Sequence, residues 1–92
     1  MEKDKRYLTV KRLIESGYIH YFSEIFDNIP PSVVARDMGF NYNRLAKLIT
    51  RVDGWLLKDI YELSSMFGIE DMTMITLIHN QHLRDKKNKR KK

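Results

Sequence analysis

Cysteine is absent from the chain, which excludes a disulfide framework and any thiolate metal site. Proline occurs only twice, at Pro30 and Pro31, and glycine four times. No glycine-rich phosphate loop and no nucleophile elbow can be traced. No apolar run approaches the roughly 18–20 residues needed to span a bilayer. Glu2 through Arg6 are all charged and lead into no apolar stretch of signal-peptide length. These features predict a cytoplasmic protein. With 92 residues the chain makes one domain with one modest core.

The charge is present but unevenly placed. The net value is +5, yet residues 83–92 hold Arg84, Lys86, Lys87, Lys89, Arg90, Lys91 and Lys92 against the single acid Asp85. The remaining residues, 1–82, therefore sum to −1. A high isoelectric point points to nucleic acid, but here it is a property of the tail. The tail has no apolar residue beyond Leu83, which predicts a basic disordered segment at 83–92. A phosphate-binding arm and a solubilising terminus are both open to it.

Between the glycine and proline stops the apolar residues repeat at helical spacing. Val10, Leu13 and Ile14 predict a helix at about 6–15, ended by Gly17. Phe22, Ile25, Phe26 and Ile29 predict a second at about 20–28, stopped by Pro30 and Pro31. Pro31 suits the first position of a third, at about 31–38. Gly39 suits the left-handed residue that closes it, and Asn41 can cap the next. There Leu45, Leu48, Ile49 and Val52 share a face. Asp53 and Gly54 break it. Leu57, Ile60, Leu63, Met66 and Phe67 predict a fifth helix, ended by Gly68, and Asp71 caps a sixth at about 72–83. No strand pattern and no repeat is visible. The fold class is all-α, a compact bundle of five to six short helices.

Residues 31–50, PSVVARDMGFNYNRLAKLIT, meet the demands of a helix-turn-helix. Ala35 is the small residue at the crossing, and Gly39 follows four residues later at the turn. Val34, Met38 and Phe40 lock the turn, and Leu45 and Leu48 anchor the second helix. This stretch resembles the lambda-repressor-like helix-turn-helix family of bacterial and phage DNA-binding proteins. The segment Leu63-Ser64-Ser65-Met66-Phe67-Gly68-Ile69 is similar to that family's next helix, so the resemblance spans about residues 22–80. It implies that the second motif helix enters the major groove. Three departures stand out. Residues 1–20 add a helix that the minimal family domain lacks. Pro31 stands where a polar phosphate-contacting residue is common. Ser64 replaces the usual alanine.

Opposite the apolar face of the second motif helix lie Asn43, Arg44, Lys47, Thr50 and Arg51. No acid interrupts residues 41–52. Arg44, Lys47 and Arg51 share a stripe. Arginine and lysine suit guanine, and asparagine suits adenine. With Asn41 and Tyr42 at the helix start, these seven residues form the candidate DNA-binding set. A solvated basic face is the plain alternative. Trp55 is expected to plug the core edge. His79 and His82 are three apart but lack a third ligand, and His20 is isolated. Asp37 and Asp59 read as surface helix charges. No cofactor and no catalytic activity are expected. The apolar residues of the sixth helix cover more than half its circumference. Part of that surface is assigned to packing on the amino-terminal helix, and part to a homodimer through Met74, Ile75 and Ile78. The expected function is sequence-specific, operator-binding transcription regulation. Its alternatives are a protein-interaction module, antitoxin-like or an assembly partner, and non-specific DNA binding through the tail.

Overall fold

The computed structural model describes residues 4–90, with side chains to Asn88. Among these residues there are five α-helices: α1 (Arg6–Glu15), α2 (Pro31–Met38), α3 (Tyr42–Thr50), α4 (Leu57–Phe67) and α5 (Asp71–Arg90). Two 3₁₀ segments, Phe22–Asp27 and Val52–Gly54, complete the regular structure, and no strand occurs among the described residues. No described helix is long and apolar enough to cross a membrane.

The joint between α2 and α3 is built on backbone chemistry. Gly39 has φ +74°, a conformation that costs a β-carbon-bearing residue strain. That conformation lets the Phe40 N–H reach back to the Ala35 carbonyl at 2.8 Å, closing α2 with a Schellman-type turn. The same device, with Gly68 at φ +70° and Ile69 N–H on the Ser64 carbonyl at 3.0 Å, closes α4.

The core runs through the middle of the molecule. Phe22, Ile25, Val34, Leu45, Leu63 and Met74 have no exposed surface. α4 is sandwiched between α1 and α5, α2 packs on α3, and α5 also covers both 3₁₀ segments. Trp55 sits edge-on to Phe22 at 5.4 Å and stacks on Phe40 at 6.1 Å. It is buried, as expected.

Several elements differ from the sequence expectation. Residues 22–27 form a 3₁₀ helix and not an α-helix. Their buried side chains, Phe22 and Ile25, lie three apart, the spacing at which 3₁₀ side chains align. α3 ends at Thr50, so Val52 is buried from a separate turn. On α4 the inward residue of the first turn is Asp59, which is buried, while Leu57 faces solvent. α5 does not end near residue 83 but continues to Arg90. Lysine, arginine and asparagine carry no strong helix-breaking penalty, and cations near a helix C-terminus offset its dipole. Lys91 and Lys92, the end of the expected disordered tail, lie outside the described residues. Asp71 is the first residue of α5 and not its cap: Glu70 supplies the carbonyl that accepts from Thr73 and Met74.

The apolar excess of α5 also finds its partners inside the chain. Met74, Leu77 and Ile78 are buried and Ile75 is half-buried against the core. They pack on α4 and the 3₁₀ segments, and α1 packs on α4 instead. The surface assigned to a dimer through Met74, Ile75 and Ile78 is thus largely consumed by the fold. The exposed large apolar residues of α5 are Met72 and Leu83.

Candidate nucleic-acid interface

α3 is a short helix, and its own hydrogen bonds alone would not hold it in water. Its amino terminus is capped by Asn41, whose side-chain oxygen accepts from the Asn43 N–H at 2.7 Å. Its back is fixed by Leu45, which is fully buried, with Leu48 and Ile49 half-buried beside it. Its carboxyl end is bound by three different groups. The Lys47 carbonyl accepts from the Arg51 N–H at 2.8 Å. The Leu48 carbonyl accepts from the Trp55 indole Nε1–H at 3.0 Å. The Ile49 carbonyl accepts from the Gln81 Nε2–H at 2.7 Å. Two of the carbonyls left over at this helix end, those of Leu48 and Ile49, are therefore satisfied by side chains from elsewhere in the fold.

Gln81 does a second job. Its Oε1 accepts from the Ser23 N–H at 2.6 Å. One buried amide, 2% exposed, thus ties α5 to both α3 and the first 3₁₀ segment. The amino-terminal side of that segment is held by Glu24, whose carboxylate accepts from the His20 and Tyr21 N–H groups at 2.7 and 2.8 Å. These backbone donors hold the Glu24 carboxyl below the usual carboxylate range. On the far side of α2, the Tyr7 hydroxyl donates to Asp37 at 2.6 Å. Burial, and then this carboxylate, push the Tyr7 phenol far above its ordinary value.

Of the seven expected DNA-binding residues, Tyr42, Asn43, Arg44, Lys47 and Thr50 are exposed on α3. Asn41 is exposed too, but its oxygen is committed to the cap. The Thr50 hydroxyl donates to the Lys47 carbonyl at 3.0 Å and keeps its lone pairs for an incoming donor. Arg44 is exposed but not free of the fold. Its guanidinium lies 4.0 Å over the Phe40 ring and 3.4 Å from the Asp59 carboxylate, which is itself nearly buried. Arg44 thus joins α3 to α4, and Asp59 is not the surface charge expected of it. Arg51 lies one residue past α3, with φ −123° and ψ 74°. It leaves the expected stripe with Arg44 and Lys47 because the chain turns into the second 3₁₀ segment. Asp37 is exposed on α2, as expected, and it takes the Tyr7 hydroxyl and pairs with Arg36 at 3.2 Å.

Arg51 faces a different neighbour. Thr50, Arg51, Val52 and Asp53 line one side of an open groove of about 510 Å³, and Gln81, His82, Arg84, Asp85, Lys86 and Asn88 of α5 line the other. Arg84 pairs with Asp85 at 3.2 Å and lies 4.5 Å over the Tyr21 ring. His79 and His82 are exposed, and no cluster of three potential metal ligands exists among the described residues.

Periodicity missed Gln81 and Asp59 because both are polar residues on inward faces. One signal was present for Gln81: it sits at i, i+3, i+4 from Leu77 and Ile78 on the buried stripe of α5. No family model matches the chain, and neither does any curated protein or any solved structure.

Proposed function

We propose that this chain is a sequence-specific regulator that binds double-stranded DNA, with α2 and α3 acting as a lambda-repressor-like helix-turn-helix. In this reading α3 enters the major groove of an operator. The outward face of α3 carries the proposal. Tyr42, Asn43, Lys47 and Thr50 are exposed on a helix fixed at both ends, with no acid from 41 to 52. An α-helix with its side chains is roughly 10–12 Å across, which suits a groove about 12 Å wide. Asn43 can pair with an adenine edge through its carboxamide, Lys47 can reach guanine O6 and N7, and Tyr42 can meet a thymine methyl. Arg44 acts mainly as an anchor, because reaching a base would strip the nearly buried Asp59 of its cation.

Selection of binding sites from random duplex DNA tests this. An enriched sequence is expected. On that sequence Asn43→Ala and Lys47→Ala should each cost on the order of 1–3 kcal/mol, with much smaller losses on random DNA. Absence of enrichment from a folded protein would overturn the reading. It would instead favour a protein-interaction module, for which Leu56, Leu57 and Tyr61, exposed together at the start of α4, provide apolar surface.

A further inference from the structure

We propose that the last turns of α5 and the end of α3 form a pre-set clamp for the phosphate backbone of duplex DNA, with Arg51 and Lys86 on its two sides. The proposal rests on the DNA-binding reading above, and it assigns a separate task to a surface that sequence readout does not use.

The placement is the first argument. Arg51 lies at the end of α3 and Lys86 on α5, yet both line one groove. Both are exposed. Thr50 and Asn88 add hydrogen-bonding groups on opposite walls. The groove is open to solvent rather than an enclosed cavity, so a phosphate of a nucleic-acid backbone can reach it from outside.

Rigidity is the second. The Gln81 amide bonds directly to the Ile49 carbonyl, immediately before Thr50 and Arg51. It therefore sets the distance between the two walls. The basic residues after Leu83 continue as helix to Arg90 rather than as a loose arm. A helix already in place loses little conformational entropy when it meets its ligand.

Charge is the third. Arg84 is occupied by Asp85 and Tyr21, so it cancels that acid and steadies the helix. From Lys86 onward the sequence holds six cations, the neutral Asn88 and no acid. Arg51 faces this stretch from the other wall. The remaining carboxylate in the groove is Asp53. It opposes a phosphate, and so gives the proposal a sign that a test can read.

The test uses the full chain and a short random-sequence duplex, titrated by fluorescence anisotropy at several salt concentrations. Arg51→Ala and Lys86→Ala should each weaken binding and lower the log–log salt slope by about 0.9 per lost contact. Asp53→Asn should strengthen binding. Two charge-matched controls at the N-cap and the last residue of α1, Lys5→Ala and Glu15→Gln, should stay near wild type, because neither residue lines the groove and salt screens surface charges beyond about 8 Å. Thermal melts confirm that each variant is folded. Unchanged slopes for both Arg51→Ala and Lys86→Ala overturn the clamp, as does control behaviour equal to that of the groove variants. If Arg51→Ala reduces preference for a selected sequence, Arg51 reads bases and the clamp is again wrong. No binding of duplex at all overturns it and leaves an acidic protein surface as the groove's partner. The operator reading fails separately: the expected slopes without an enriched sequence keep the clamp and remove the operator, whereas enrichment with unchanged slopes does the reverse.

Discussion

Replacing Gln81 by leucine keeps the volume close and removes both hydrogen bonds of the amide. The Ser23 N–H and the Ile49 carbonyl then lose partners at 2.6 and 2.7 Å. Each bond contributes about 1 kcal/mol net, and because Ser23 and Ile49 are half-buried beside the open groove, each group left unpaired costs near the lower end of about 1–3 kcal/mol. Leucine recovers part of this as apolar burial, so the expected loss is about 2–4 kcal/mol. For a domain of this size that is a fall in Tm of roughly 10–25 °C, read by circular dichroism. Gln81→Glu sharpens the test. A protonated glutamic acid can accept from Ser23 and donate to Ile49, whereas the carboxylate faces the Ile49 carbonyl with no proton to offer. Burial and that carbonyl raise the folded-state pKa of the new carboxyl above its unfolded value. Its stabilising effect is then full below the unfolded pKa and is lost as pH rises through the folded one. Gln81→Glu should therefore approach wild-type stability in acid and fall behind it near neutrality. A Gln81→Leu variant as stable as wild type, or a Gln81→Glu variant with no such pH dependence relative to wild type, would refute the bridging role.

Gly39→Val should destabilise the domain by roughly 1–3 kcal/mol through backbone strain alone, since a β-carbon there meets nothing within 4 Å. Gly39→Asn, which tolerates the left-handed region better, should lose less in the same urea titration. For Glu24, whose folded pKa is depressed by two backbone donors, the contribution is present above the ordinary carboxylate range and lost as pH falls through the lower folded value. Glu24→Gln should remove that part of the acid dependence, and Glu24→Ala should cost about 0.5–2 kcal/mol as a lost helix cap; equal acid profiles for wild type and Glu24→Gln would contradict this.

The helices between glycine stops were legible because a positive φ is a local requirement. Gly39 and Gly68 fixed the ends of α2 and α4 without reference to the rest of the fold. Asn41 was legible as a cap for the same reason. Choices made by tertiary contact were not. Leu57 and Asp59 exchange the places that hydrophobic periodicity gives them, because a cation on α3 reaches Asp59. The early end of α3 depends on Trp55 and Gln81 arriving from later in the chain. The wide apolar surface of α5 pointed to an outside partner, when two 3₁₀ segments and α4 cover most of it. Of the candidate interface, the exposed positions on α3 were legible. The pairing of Arg44 with Asp59 and the turn of Arg51 toward α5 were not.

The binding of the end of α3 by other segments has a consequence for how freely its surface can change. The helix is held through backbone atoms at its carboxyl end, through Leu45 at its back, and through the side-chain oxygen of Asn41 at its start. Tyr42, Asn43 and Lys47 contribute no side chain to any of these supports. They can be exchanged for other good helix formers with little effect on folding, and substitutions there should cluster within about 0.5 kcal/mol of wild type. Arg44, one position along, lacks that freedom. α3 thus separates into letters that can be rewritten and a frame that cannot, and a library randomised at 42, 43 and 47 should yield folded proteins at nearly every combination that avoids proline and glycine.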